Sequence, residues 1–434
     1  MFRRVVHPAS LVQVLLLVAC GEPVVPGTVP PPCPAGGTLV APGTALQAAL
    51  AAADDGDVLV LAPGRHQGPL AVQRRVTVWG PRDAVVASRG EGSTIEVRAD
   101  GARLSGFTVD GSGARFDLLD AGVRVRAEDV VLDGLALRRT LFGILIERSQ
   151  RVTVRGCDIV GVGGEAMGLR GDGIRLWETT DSRVEGNLVR DCRDCVVWYS
   201  SRNEVVDNRV YGCRYGTHFM YSHHNSAHGN RYVDDVVGVF VMYSHDLVVR
   251  GNLMARAGGA AGVGLGFKES GNIEVIDNDF VANSTGIYVD TSPMDVTHWN
   301  RFVGNRVRLS DVGIAFHSSP KRNEFIDNDL RDNVHQVRVG GDGDATRIEW
   351  RGNHYDDYMG YDLDGDGRGD VPYVLASLSG QLTSRHPELA FFRGSPVLAL
   401  TDLAGHVMPL FAPRTLLQDL APRMDPPAGG ARAR

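Results

Sequence analysis

The sequence contains no block of basic residues, and its 434 residues carry a formal net charge of −7. Nothing in it is arranged to neutralise a run of phosphates, which argues against nucleic acid as a partner. Helix-like apolar spacing is scarce. The one N-terminal apolar run, LVQVLLLVAC at 11–20, is too short to span a bilayer. Cysteine and histidine nowhere take zinc-finger spacing. The leucine pattern of a leucine-rich repeat is missing, and no repeat is long enough for a propeller blade. What is present is 43% hydrophobic residues, enough to bury a core, and 53 glycines. That combination points to many short strands and turns.

The N-terminus reads as a targeting segment. Arg3 and Arg4 precede the apolar run, and Leu17-Val18-Ala19-Cys20-Gly21 resembles a lipobox. Residues 1–19 are then a signal peptide, and Cys20 is acylated and holds the protein to a membrane outside the cytoplasm. Gly21-Glu22 lacks the Asp after Cys that often retains such proteins at the inner membrane, so which membrane stays open. Residues 20–37 form a Pro/Gly tether.

An internal repeat follows. Asn187, Asn208, Asn230, Asn252, Asn278, Asn305, Asn328 and Asn353 recur at spacings of 21, 22, 22, 26, 27, 23 and 25. Cys157 takes the same place one coil earlier. A period of about 22 with short alternating apolar runs predicts an all-β fold, a right-handed parallel β-helix over 38–373. A helical cap precedes it, and a tail at 374–434 caps the far end or docks a partner. The equivalent asparagines should form hydrogen-bonded ladders.

A glycine usually opens the strand upstream of each asparagine. Residues one and three positions later are mostly apolar and should face the core. Residues two and four later should face out. The outward set includes Trp177, Trp198, His218, Met220, Phe240, Met242, Lys268, Tyr288 and Asp290. Large apolar groups exposed in a row mark a binding surface, unless a loop or the tail covers them.

Four chemistries fit parts of this chain. Met-Tyr-Ser-His occurs twice, at 220–223 and 242–245. Thioether and imidazole suit copper, thioether especially Cu(I), so Met220, Met242, His218, His223 and His245 are copper candidates. Asp362, Asp364, Asp366, the Arg368 carbonyl and Asp370 match the first nine positions of an EF-hand-type loop, although Tyr373 stands where the bidentate Glu belongs. A structural Ca²⁺ is the expectation there. Cys192 and Cys213 each lie five residues after a ladder asparagine, so they should stack within disulfide range. A polysaccharide-binding or lyase/epimerase-like activity is the alternative, since aromatic outer faces suit sugars, but no tight acidic cluster appears on the outward face.

The stretches YGTHFMYSHHN, VFVMYSHDLVVRGN, GVGLGFKES, GIYVDTSP and NHYDDYMGYDLDGDGRGDVPY together resemble the NosD family. The resemblance runs from about residue 40 to about residue 425. It implies a non-catalytic periplasmic β-helix protein that works with an ABC-type ATPase and membrane permease. It further implies support for assembly of the copper–sulfur centre of nitrous oxide reductase, by handling copper or docking the reductase or a copper chaperone. The copper candidates it points to are Met220 and Met242, with His218, His223 and His245 nearby.

Overall fold

A computed structural model describes residues 29–427, apart from 165, 341–342, 377, 380–381, 383–385, 393–394 and 408–412. The expected signal peptide and Cys20 lie outside the described residues. Three parallel sheets of 14, 12 and 13 strands run the length of a β-solenoid, each coil giving a short strand to each sheet in turn. The expected parallel β-helix is therefore the observed fold.

Coils can stack this closely because glycine occupies one corner of each. A Cβ on Gly216, Gly238, Gly264 or Gly286 would lie 2.6 Å from the carbonyl oxygen of the glycine in the next coil. The inward positions that follow these glycines, among them Phe219, Val241, Phe267 and Val289, are buried. Farther along, Phe302 stacks on Phe325 at 4.2 Å and Phe325 on Trp350 at 4.6 Å. Each buried phenylalanine contributes roughly 2 kcal/mol by leaving water.

The asparagine row is a continuous ladder. Asn208 accepts the backbone N–H and the side-chain amide of Asn187, and Asn230 accepts both from Asn208. The pattern continues to Asn353, whose amide groups donate to the Asp419 carboxylate at 3.0 and 2.9 Å. Cys157 joins at the other end, its N–H donating to Asn187.

Both ends are covered. The helix Leu46–Ala52 buries Leu46 and Leu50. At the far end Thr415–Asp419 pairs antiparallel with Tyr373–Ala376, and Leu417 is fully buried. The intervening helix Pro396–Val407 leaves Val397, Leu400 and Leu403 exposed. The described part of the N-terminal tether lies against the solenoid: the Trp79 indole N–H donates to the Pro31 carbonyl at 2.9 Å.

Candidate functional site

The strands Ile174–Trp177, Asp194–Trp198, Tyr215–Met220, Val237–Met242, Val263–Lys268 and Thr285–Asp290 are consecutive neighbours in the 12-stranded sheet. Their register aligns Trp177, Trp198, Met220, Met242, Lys268 and Asp290 in one row. All six are half-buried, so the expected row exists and reaches solvent.

The second outward row behaves differently. It runs Arg175, Val196, His218, Phe240, Gly266, Tyr288. His218 is 8% exposed, contrary to its expected place on the open surface. The Tyr215 ring lies 4.7 Å from it and the Phe240 ring 6.0 Å. Burial pushes its pKa down to about 4, so the ring is neutral at pH 7. Phe240 leans over Gly266, where a Cβ would lie 2.3 Å from the ring. His218 therefore packs between aromatic rings and does not join the other histidines.

In each Met-Tyr-Ser-His copy the four residues take four different places on the coil. Methionine ends the strand on the open row. Tyrosine occupies the corner with a left-handed backbone, φ 48° at Tyr221 and 52° at Tyr243. Serine turns inward, and each hydroxyl accepts a backbone N–H from the preceding coil, as Ser222 does from Ser200 and Ser244 from Ser222. Histidine then emerges on the adjoining flank. The left-handed corner is unfavourable for a bulky side chain, and ring stacking offsets part of that cost. Tyr199, Tyr221 and Tyr243 stack at 5.3 and 4.8 Å, and Trp198 continues the stack at 5.8 Å from Tyr199. The faces of these rings are turned to one another.

Beyond the tyrosines lies a histidine cluster. His223 and His245 stack face to face at 3.7 Å. His223 Nδ1 accepts the His245 backbone N–H at 3.2 Å, so its free tautomer carries the proton on Nε2 and offers no lone pair there. Burial and the neighbouring His245 and His224 push the His223 pKa down. His245 Nδ1 lies 2.6 Å from the Asp246 carboxylate and His224 Nδ1 3.7 Å. Burial raises the Asp246 pKa, but hydrogen bonds from His245 and Asn272 outweigh it and hold the carboxyl below the usual range. Ligand atoms of His224, His245 and Asp246 all lie within 4.8 Å of one another. The His298 ring adds a fourth imidazole, 5.5 Å from His245.

The structure thus brings together Met220 with Met242, and His223 with His245. Asp246 and His298 are additions to the expected set. Asp246 follows His245 directly, and its signal was adjacency. His298 sits in an insertion after Asp290, where the repeat gives no register.

The acidic loop is only partly convergent. Carboxylate oxygens of Asp362, Asp364 and Asp370 lie within 4.8 Å of one another. Asp366 instead accepts the Arg368 N–H at 2.7 Å, and Arg368 extends its guanidinium to the Ala421 carbonyl. Asp362 already accepts the N–H groups of Gly365 and Gly367. The expected Cys192–Cys213 disulfide is also corrected: both are free, buried thiols. They do occupy equivalent places in adjacent coils, but Cys192 Sγ turns to the Arg190 carbonyl and Cys213 Sγ to the Tyr211 carbonyl. The two thiols lie in side-chain contact with each other without an S–S bond.

Comparison with known proteins agrees with this picture. The family described as periplasmic copper-binding protein (NosD) matches residues 155–360, the segment that carries both Met-Tyr-Ser-His copies and the histidine cluster. A probable ABC transporter binding protein NosD of Stutzerimonas stutzeri is 25% identical over 374 residues, covering 81% of this chain and 83% of the relative. Its counterpart in Pseudomonas aeruginosa is 27% identical over 369 residues, covering 81% and 84%. Among solved structures, the A-module of mannuronan C-5 epimerase AlgE6 from Azotobacter vinelandii superposes with a TM-score of 0.58 at 14% identity, covering 72% of this chain and 94% of that one. The AlgE4 A-module gives 0.53 at 16% identity, covering 69% and 92%. Those likenesses show the fold alone. No helix among the described residues is long and apolar enough to cross a membrane. In its matched segment and across its two relatives, the chain is similar to the NosD family.

Proposed function

We propose that this protein is an extracytoplasmic, non-catalytic accessory factor for assembling the copper–sulfur site of nitrous oxide reductase. It acts with an ABC-type ATPase and permease, and it receives Cu(I) or docks the protein that carries it. The observation that carries this reading is the pairing of Met220 with Met242, two thioethers in register on the open row. Thioether sulfur prefers Cu(I), and the pair lies within the segment matched by a family described as copper-binding. The exposed Val397, Leu400 and Leu403 of the tail helix support a docking role toward the membrane partner. A lipid on Cys20 would keep the solenoid near that partner.

The test is a Cu(I) competition titration of the protein beside Met220→Ala/Met242→Ala. Stoichiometric binding that the double variant loses supports the reading. Equal affinity in both proteins removes the thioether pair as the copper site.

A further inference from the structure

The row of histidines on the flank is interrupted after two rungs. His245 aligns in register with Gly271, where the next imidazole would stand. The gap is filled from elsewhere. A Cβ on Gly271 would lie 2.7 Å from His298 Cβ and 2.8 Å from His298 Nδ1. His298 arrives on the insertion that follows Asp290 and lies over this vacancy, next to His245. The backbone of that insertion is tied down beside it, because the Trp299 N–H donates to the Asn272 side chain at 3.1 Å and Asn272 donates to Asp246 at 3.0 Å. The glycine is thus the feature that admits a further imidazole beside His245, at the edge of the His224, His245 and Asp246 group.

We propose that His224, His245, His298 and Asp246 form a second metal site, separate from the thioether pair, that takes a divalent borderline ion such as Cu(II) or Zn(II). Imidazole nitrogen with one carboxylate oxygen and no sulfur is the donor set of such ions, whereas Cu(I) favours the methionines. The site is open to exchange: the His224 side chain is 58% exposed and that of His245 38%. His223 serves as a positioning residue. Its ring stacks on His245 and its Nδ1 is committed to the His245 backbone. Asn272 does the same for Asp246 by donating to its second oxygen. The inference deepens the copper-handling reading by adding a site for the oxidised or divalent ion, and it stands or falls on different residues.

The experiment is a chelator-competition titration of the full chain with Zn(II) and with Cu(II), together with electron paramagnetic resonance of the Cu(II) form. Wild type, His298→Ala, Gly271→Ala and Met220→Ala/Met242→Ala are compared. Wild type should bind one divalent ion per chain, with nitrogen couplings from imidazole in the Cu(II) spectrum. His298→Ala, a change on a surface insertion, should weaken binding roughly tenfold or more, and Gly271→Ala should do likewise by displacing that ring. The methionine double variant should keep full divalent affinity. Absence of divalent binding in wild type, or unchanged affinity in His298→Ala, overturns the proposal. Loss of the divalent ion in the methionine variant also overturns it, because then there is a single site. Failure of the Cu(I) titration with the divalent result intact would remove the thioether assignment and leave this site standing.

Discussion

The asparagine row and the methionine–tyrosine–histidine rows are made by the same repeat at two different corners of the coil, and they obey different rules. At the asparagine corner every side chain satisfies the backbone of its neighbour. Asn230 accepts two hydrogen bonds from Asn208 and donates to the Val205 carbonyl and to Asn252. Between Asn187 and Asn353 an apolar replacement would leave buried amide groups without partners, so there the chemistry favours asparagine. The outer corner asks only that the chain turn through a left-handed conformation. Arg148, Glu178, Tyr199, Tyr221, Tyr243, Glu269 and Thr291 all do so, with φ between 45° and 52°. Stacking there does not require tyrosine in three successive coils, nor histidine in two. Where the fold is indifferent and the residues are nevertheless chemically special, function is the better explanation.

The sharpest way to break the comparison is to cut one rung. Asn230→Ala removes all four hydrogen bonds of that side chain and strands the Asn208 N–H and the Val205 carbonyl in the core. With each buried unsatisfied group costing about 1–3 kcal/mol, the loss should be roughly 4 kcal/mol in urea denaturation. Metal affinity measured well below the transition should not change. A loss under about 1 kcal/mol would mean that the ladder is decoration and not structure.

His218 sharpens the comparison from the other side, as an outward residue that is buried like an inward one. Its folded pKa of about 4 lies below the 6.5 of an unperturbed imidazole. Between those values the unfolded chain takes up a proton that the folded ring refuses, so stability is complete above pH 6.5 and declines as pH falls toward 4. The decline should approach roughly 3 kcal/mol at the acid end. Asp172 contributes with the opposite sign, since burial raises its carboxyl to about 6 and its contribution is lost as pH rises. The informative quantity is therefore the difference between wild type and His218→Phe, followed by denaturant midpoints from pH 7 to pH 4. If that difference is flat with pH, the ring is not buried as a neutral imidazole.

The two corners were also unequally legible in the sequence. The asparagine ladder could be read from spacing alone, because eight successive rungs from Asn187 to Asn353 repeat the same side chain. The inward and outward faces followed from the glycines, which have no alternative where the next coil's carbonyl lies 2.6 Å from the would-be Cβ. The methionine row followed from that register. Its companion His218 did not, because its burial depends on how Tyr215 and Phe240 turn their rings, and alternation carries no such information. His298 was hidden for a different reason. It comes from an insertion outside the repeat, and its sequence trace is a gap: glycine at 271, where a third histidine would continue the row. The cysteines misled because equal spacing places two thiols side by side without fixing which way either one turns.

Asp235 gives the smallest test, since it is an inward rung filled by a residue of the outward kind. It occupies the core position taken by Asn283 and Asn333 in later coils and is 2% exposed. One oxygen accepts the Cys213 N–H at 2.7 Å, while the other is buried without a partner. Burial pushes its carboxyl well above the usual range, which favours the protonated form, a near-isostere of asparagine. At the equivalent positions the asparagine amide donates to a carbonyl one coil back, Asn283 to Met254 and Asn333 to Val307. Register places Val210 in that role for residue 235. Asp235→Asn should therefore supply the missing hydrogen bond and remove the cost of burying a carboxyl. The expected gain is about 1 kcal/mol at neutral pH, growing as pH rises and the wild-type carboxyl is pressed to ionise. A variant less stable than wild type would show that the lone oxygen already has a partner that an amide cannot replace, and that this rung is not built on the rule the others follow.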